Sequence, residues 1–318
     1  MNISSRLPAW YSVVVVILMV AVACGPATGA NANVGTSSFP FLKINVGARA
    51  IGMGGAFTGL ADDEASVYYN PAGITSVLTN RYMLEYHNYF VDMQSGVVGL
   101  VHPMSGSKFM ALHLNYLNYG DFTQTNLAGD VTGTFSGGDL VLAGTLAMKY
   151  REAYAFGATA KLIYEKVQSF SATGVAVDLG AKWTANRGRY SAGVMIQNLG
   201  VQLSGLGDDK DKLPMMFRAG GAAKPRGLNT IFSGDVLVPV DNDPAVAIGA
   251  EYLRLKPIYL RLGYNSFGTN YRAQNSDDNW AGLSLGVGFD VKRMQISYAY
   301  TPAADLGESH RITLTGGL

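Results

Sequence analysis

The stretch AGLSLGVGFDV, residues 281–291, alternates apolar residues with small or polar residues along its whole length. A period of two places successive side chains on opposite faces of an extended chain, so this stretch predicts a β-strand. The same pattern returns in GVAVDLGAKW, residues 174–183, and in IYLRLGYN, residues 258–265. The sequence therefore predicts a protein built from strands that each have one uniformly apolar face.

The second face of these strands indicates which kind of β-protein they form. It mixes glycine with single charges such as Asp178, Lys182 and Arg261. A soluble β-sandwich buries its apolar face and places long polar side chains in water, where glycine is uncommon. A membrane barrel turns the apolar face towards lipid and the small or polar face towards the lumen. The pattern favours the membrane barrel.

About fourteen such segments follow Arg81, and bacterial membrane barrels have an even number of strands. We therefore predict an all-β fold, a transmembrane antiparallel barrel of about 14 strands over residues 80–318. Longer polar connections, expected on the outer side, are GDFTQTNLAGDVTG at 120–133, SGLGDDKDKLP at 204–214 and NSFGTNYRAQNSDDN at 265–279. The predicted strands start near residues 82, 95, 107, 138, 153, 171, 189, 214, 228, 244, 257, 280, 293 and 309.

Composition agrees with a membrane protein and argues against a nucleic-acid partner. Lys and Arg number 24 against 23 Asp and Glu, so the net charge of +1 offers no basic excess for phosphates. The charged fraction is only 15%, while glycine reaches 39 residues and tyrosine 18. Typical soluble domains are about one quarter charged, so part of this surface is expected to face something other than water.

The first residues have the pattern of an export signal, assigned to residues 1–32. Arg6 supplies positive charge, and WYSVVVVILMVAVA at 10–23 is an apolar core shorter than the roughly 20 residues of a membrane-spanning helix. Two processing sites compete: ANA predicts cleavage after Ala32, which we favour, and AVAC resembles a lipoprotein signal with lipidation at Cys24. In either case the protein is exported and has no disulfide.

Residues 33–79 precede the first strand and lack its alternation. A barrel of this width is too wide to be filled by its own inward side chains, so it holds water, a ligand or a plug. We predict that residues 33–79 form an N-terminal lumenal plug, or hatch. Gly52, Gly54 and Gly55 would let its backbone pack closely and bend in a narrow space.

The second half of this segment carries local helix signals. Asp62 or Asp63 is expected to cap the turn that begins at EASVYYN, and Asn70 before Pro71 is expected to end it. A phosphate-binding loop is disfavoured, because GMGGAF lacks the final glycine of the GxGxxG motif and opens no long helix.

Two longer stretches resemble a known family. FPFLKINVGARAIGMGGAFTGLADDEASVYYNPAGI, residues 39–74, resembles the N-terminal signature of the PorV/PorQ-type outer-membrane β-barrel family. More distantly it resembles the FadL-type hydrophobic-compound transporters, whose N-terminal hatch ends in a similar Asn-Pro-Ala. The closing stretch YAYTPAADLGESHRITLTGGL, residues 298–318, is similar to the terminal strands of the PorV/PorQ-type family.

The resemblance implies a 14-stranded, FadL-like barrel whose N-terminal segment lies in the lumen. The hatch motif that it implies comprises Gly47, Arg49, Gly52, Gly54, Gly55, Asp62, Asp63, Tyr69, Asn70, Pro71 and Ala72.

Inward-facing charges are the second set of candidate functional residues. Their signs are nearly balanced, which favours pairing and anchoring of the plug over the steering of a solute, although both roles stay open. These lumen charges are Lys149, Lys161, Glu165, Asp178, Lys182, Glu251, Arg261 and Asp290.

Catalytic and metal motifs are not predicted. GLSLG at 282–286 matches the GxSxG nucleophile elbow, but Ser284 lies in an unbroken strand pattern rather than at a strand-to-helix turn. The four histidines are scattered without metal-ligand spacing, so we expect no catalytic residue, no metal and no cofactor.

These observations predict a non-enzymatic protein in the outer membrane of a diderm, Gram-negative-type bacterium, in contact with outer-membrane lipid. The resemblance leaves two roles open. The favoured one supports type IX-like protein secretion, with secretion-system proteins or exported cargo as partners. The alternative is FadL-like transport of long-chain fatty acids or other hydrophobic small molecules. A purely structural barrel or a lipid-active enzyme is a third possibility, and the missing catalytic motif argues against the enzyme.

Overall fold

A computed structural model describes residues 33–318 except 92, 105, 272–279 and 303–305. The predicted signal peptide, residues 1–32, lies outside the described residues, as do its two processing sites at Ala32 and Cys24.

Fourteen antiparallel strands form a closed barrel in which each strand pairs with its neighbour in sequence and β14 pairs with β1. This confirms the predicted fold class. The strands are β1 Arg81–Asn88, β2 Gln94–Pro103, β3 Lys108–Thr125, β4 Val131–Tyr150, β5 Tyr154–Val167, β6 Phe170–Ala185, β7 Tyr190–Ser204, β8 Met216–Ala223, β9 Thr230–Pro239, β10 Ala245–Tyr252, β11 Ile258–Asn265, β12 Leu283–Val291, β13 Met294–Pro302 and β14 Glu308–Gly317.

One predicted connection is wrong. Most of the stretch 120–133, expected to be a polar loop, continues the β3–β4 hairpin, and only residues 126–130 connect the strands. Gly120, the first residue of this stretch, lies at a register shift in β3 and has φ 76°. Beyond it Phe122 pairs with Phe135, and their rings stack with centroids 5.2 Å apart. Aromatic and threonine residues favour strands and extend the ladder despite their polar neighbours.

The strand faces are divided as the alternation predicts. In β12, Leu285, Val287 and Phe289 are exposed on the outer wall, whereas Ser284 is buried on the inner wall. Similar exposed apolar side chains cover the outside of other strands, for example Leu260 and Leu262 in β11. The outer wall is therefore an apolar surface suited to lipid, and the small or polar face lines the lumen.

The two ends of the barrel differ in the chain segments that they carry, and we call them the terminal end and the loop end. At the terminal end β1 begins, β14 ends and six tight turns join strand pairs such as β12 and β13. The loop end carries the two longest connections, residues 205–215 and 266–282.

The N-terminal segment, residues 33–79, runs from the loop end to the terminal end. Ser37 forms a β-bridge with Lys212 of the β7–β8 loop, and the chain enters β1 at Arg81. Short helices lie at Pro40–Lys43, Glu64–Tyr68 and Pro71–Ser76 (3-10), at Ala48–Gly52 (α1), and, between β11 and β12, at Ser266–Tyr271 (3-10). No helix within the described part of the chain is long and apolar enough to cross a membrane.

Candidate functional site

Asp63 shapes the N-terminal segment where the sequence placed a helix cap. Its Oδ1 accepts a hydrogen bond from the Ala65 amide at 2.9 Å, while its own amide donates to Ser66 Oγ at 3.1 Å. The resulting capping box starts the 3-10 helix Glu64–Tyr68. Asp62 has a different role, because it pairs with Arg49.

Asn70 ends this helix and begins the next one. Its Oδ1 accepts from the Ala72 amide at 3.2 Å and caps the 3-10 helix Pro71–Ser76. Its Nδ2 donates to the Thr58 carbonyl at 3.1 Å and to the Ala181 carbonyl of β6 at 3.0 Å. One fully buried amide thus links two parts of the segment to the barrel wall.

Glycines of the wall make room for this contact. A Cβ on Gly180 of β6 would lie 2.3 Å from Asn70 Oδ1, and one on Gly157 of β5 would lie 2.5 Å from the Ala72 amide nitrogen. Atoms do not approach so closely, so both positions require glycine while Asn70 and Pro71 stay in place.

Glycines of the segment approach the opposite wall. Gly54 has φ 68°, and a Cβ there would lie 2.7 Å from the Tyr264 amide nitrogen of β11. Gly52 of α1 packs against Gly286 of β12, where a Cβ would lie 2.9 Å from Cα. Gly55 also has positive φ, at 75°, and its carbonyl accepts from Arg218. The glycine-rich stretch therefore combines a tight turn with close contact to the wall.

Arg49 is the centre of an ion cluster. Its guanidinium lies 2.5 Å from Asp62, 3.0 Å from Asp63 and 2.8 Å from Glu251 of β10. Glu251 also pairs with Arg261 of β11 at 2.8 Å, so this carboxylate bridges the segment and the wall. Burial raises the pKa of Asp63 to about 6, and the neighbouring Arg49 only partly opposes this shift.

Two wall carboxylates that the sequence analysis missed hold the segment backbone. Glu85 of β1 accepts from the Gly47 amide at 2.7 Å, and Asp235 of β9 accepts from the amides of Phe57 and Thr58 at 2.9 and 2.8 Å. Both carboxylates are buried on inward faces. Extending the alternation pattern to β1 and β9 would have marked them as inward charges.

Two cationic side chains of the wall bind backbone carbonyl groups of the segment. Lys182 Nζ donates to the carbonyls of Leu60 and Ala61 at 2.7 and 2.6 Å. Arg218 of β8, which the sequence analysis also missed, donates to the Gly55 carbonyl at 2.8 Å and lies 4.9 Å from the ring centroid of Tyr69. Burying such charges is favourable only where fixed partners replace water, and backbone groups of the segment are those partners.

Most of the predicted lumen charges that do not bind the segment contact residues of the barrel wall. Lys161 pairs with Asp178 at 2.7 Å, and Lys149 lies 5.7 Å from the ring centroid of Phe109. Asp290 accepts from Tyr259 and Gln295, and Glu165 is buried on β5. The structure therefore brings Lys182, Glu251 and, through Glu251, Arg261 to the segment. Lys149, Lys161, Asp178 and Asp290 contact wall residues instead, and Glu165 is buried on the wall strand β5.

Two cavities lie beside the segment, and they share no lining residue. The loop-end cavity, of about 320 Å³, is lined by the aromatic side chains of Tyr89, Phe90 and Phe267. Its polar lining includes Lys43, Asn45, His87, Asn265 and Arg311. The terminal-end cavity, of about 480 Å³, is rich in charge. It is lined by Arg49, Asp63, Glu64, Arg81, Glu251, Lys256, Asp290, Lys292 and Arg293, among others.

Ser284 of the GLSLG motif is buried near the start of β12, and the chain continues as a strand to Val291. The strand-to-helix turn of a nucleophile elbow is therefore not formed there. Within the described ranges, no group of three or more His, Cys, Asp or Glu side chains is placed to hold a metal ion.

Comparison with solved structures identifies similar barrels. The toluene transporter TodX of Pseudomonas putida superposes with a TM-score of 0.59 at 13% identity, over 85% of this chain and 96% of that one. The monoaromatic hydrocarbon channel CymD gives 0.61 at 12% identity, over 86% and 98%. A Pseudomonas aeruginosa FadL homologue gives 0.53 at 12%, over 83% and 96%. No protein-family model and no curated protein sequence matches the chain. At such identities the likeness shows a shared fold.

Proposed function

We propose that this protein is a non-enzymatic outer-membrane channel for small hydrophobic compounds, and that residues 33–79 form its plug. The closed 14-strand barrel with an apolar outer wall supports a membrane position. The solved structures with the same fold include a toluene transporter and a monoaromatic hydrocarbon channel, which supports this substrate class.

The loop-end cavity is the observation that carries the proposal. Its aromatic side chains, Tyr89, Phe90 and Phe267, give a hydrophobic molecule a surface to contact. At about 320 Å³ it has room for a one-ring hydrocarbon. Ile44 and Ile51 of the N-terminal segment also line it, so movement of the segment would open a route deeper into the lumen.

The secretion role that the sequence resemblance favoured stays a prediction. No contact or cavity described above calls for a protein cargo, and the solved structures support the alternative, hydrophobic transport. The apolar outer wall supports outer-membrane lipid as a partner.

The test is the uptake of labelled toluene by Gram-negative cells that lack their own hydrocarbon channel and express this protein. We expect the protein to raise the uptake rate several-fold over the empty vector. Thr301→Trp, which places an indole in the loop-end cavity, should abolish the gain, whereas Leu285→Trp on the lipid-facing wall should keep it. Uptake of toluene and of a long-chain fatty acid at the empty-vector rate, with the protein folded in the outer membrane, would refute the proposal.

A further inference from the structure

Charge is divided unequally between the two ends of the barrel. The six turns of the terminal end, counted together with Lys108, the first residue of β3, carry ten basic residues and one acidic residue, Glu152. These turns are residues 104–107, 151–153, 186–189, 224–229, 253–257 and 292–293. The basic residues, here called the basic rim, are Lys108, Arg151, Arg187, Arg189, Lys224, Arg226, Arg254, Lys256, Lys292 and Arg293.

The loop end has the opposite character. Its described connections carry two basic residues, Lys210 and Lys212, against six acidic ones. The acidic residues are Asp130, Asp208, Asp209, Asp211, Asp241 and Asp243. Because the whole chain has a net charge of only +1, the basic rim reflects a separation of charge along the barrel axis.

The basic rim is accessible and uncompensated. Nine of its ten side chains are exposed, Lys224 being half-buried. None of the ten forms an ion pair with an acidic residue in the described part of the chain. Such a concentration of like charge repels itself unless anions lie nearby.

The position of the basic rim indicates what those anions are. Its members lie on or directly beside every turn of this end, so they surround the barrel instead of forming a patch on one side. Arg151 lies 5.4 Å from the ring centroid of Tyr150, which is exposed on the outer wall. Arginine beside an interfacial tyrosine is typical of the boundary between acyl chains and headgroups.

We propose that the basic rim binds anionic phospholipid headgroups in the leaflet at the terminal end of the barrel. A leaflet presents phosphate groups around the whole circumference, which matches a ring of cations better than one protein partner does. The acidic loop end does not attract the same lipids, so the binding also favours one orientation of the barrel across an asymmetric membrane.

The test measures lipid selectivity on the full-length protein in bilayers of phosphatidylcholine. Spin-labelled phosphatidylglycerol or spin-labelled phosphatidylcholine is added in trace amounts, and electron spin resonance gives the fraction of each that the protein immobilises. The rim variant combines Arg151→Gln, Arg187→Gln, Arg226→Gln and Arg254→Gln, which do not line the terminal-end cavity. The matched control combines Asp130→Asn, Asp208→Asn, Asp209→Asn and Asp243→Asn at the loop end.

We expect the wild-type protein to favour phosphatidylglycerol on the order of threefold at low salt, and to lose the preference at high salt. The rim variant should show no preference, and the loop-end variant should keep that of the wild type. Heat-modifiable gel mobility verifies that each variant is a folded barrel. Equal immobilisation of both lipids by the wild type would overturn the proposal. An unchanged preference in the rim variant would overturn it as well.

Discussion

The Arg49 guanidinium and the Glu251 carboxylate meet at 2.8 Å, Nη2 to Oε2, and join α1 to the wall strand β10. Arg261 of β11 contacts the same carboxylate from the wall side, also at 2.8 Å. Glu251 thus keeps one cationic partner when the other is removed. Because Glu251 keeps Arg261 as a partner, Arg49 can be mutated to weaken the attachment of the proposed plug while the barrel stays folded.

Arg49→Gln should loosen the N-terminal segment. Because Arg261 still compensates Glu251, we expect a loss of about 1–3 kcal/mol, less than for a fully orphaned buried charge. Amide hydrogen exchange in residues 45–75 should accelerate roughly tenfold, since about 1.4 kcal/mol corresponds to a factor of ten. Arg254→Gln, an exposed arginine of the terminal end, is the control. Equal exchange in both variants would show that Arg49 does not hold the segment.

Gly180→Ala should displace Asn70 and Pro71 from the wall. The new methyl group would lie 2.3 Å from Asn70 Oδ1, and the rigid strand leaves the segment as the part that moves. Single-channel conductance in planar bilayers should rise. Gly144→Ala is the matched control, because Gly144 faces outwards in β4 and a Cβ there meets nothing within 4 Å. Conductance equal to that of the wild type in Gly180→Ala would contradict the plugging role of this contact.

The barrel could be predicted because each strand is identified by a pattern within its own short stretch of sequence. Each strand shows its alternation within about ten residues, and apolar side chains such as Leu285 and Val287 mark the lipid face without reference to any partner. The predicted strand starts lie within three residues of the structure except for β4, which begins at Val131 instead of near 138. There the cross-strand pairing of Phe122 and Phe135, a non-local contact, extended the hairpin.

The contacts of the lumen were less predictable. Alternation identifies Lys182 and Asp178 as inward-facing, but it does not say that Lys182 binds the segment while Asp178 pairs with Lys161. That choice depends on the path of residues 33–79 through the barrel. The partners of Asp235 could not be predicted either. They are the backbone amides of Phe57 and Thr58, and every residue except proline has such an amide, so the residue types do not identify them.

Asn70→Ala should raise non-specific permeability, and Asn70→Ala with Pro71→Ala should raise it further. The single change removes the helix cap, worth about 0.5–2 kcal/mol, and the bonds to the carbonyls of Thr58 and Ala181. Asn70→Asp separates the two effects in bilayer conductance, because it keeps the capping oxygen and loses both donated bonds. We expect Asn70→Asp to conduct as Asn70→Ala does. Conductance restored to the wild-type level would show that capping alone matters.

Acidic pH should hold the N-terminal segment more firmly. The pKa of Asp63 is raised to about 6 in the docked segment, chiefly by burial, so the docked state binds a proton more tightly than a released segment with the ordinary value of 3.8. Docking is therefore strongest below about pH 4 and weakens as pH rises through 6. The charged groups that act on Asp63 are Arg49, Asp62 and Glu64 of the segment, and Lys182 and Arg261 of the wall also interact with it.

Hydrogen exchange of residues 45–75, corrected for the intrinsic dependence of exchange on pH, measures this effect between pH 4.5 and 7.5. The wild-type segment should be better protected at pH 4.5. Asp63→Asn, which cannot ionise but keeps an oxygen for the Ala65 amide, should show the same protection at both values. Greater protection at pH 7.5 in the wild type would mean that attraction to Arg49 outweighs the cost of burying the Asp63 charge, which reverses the expected sign.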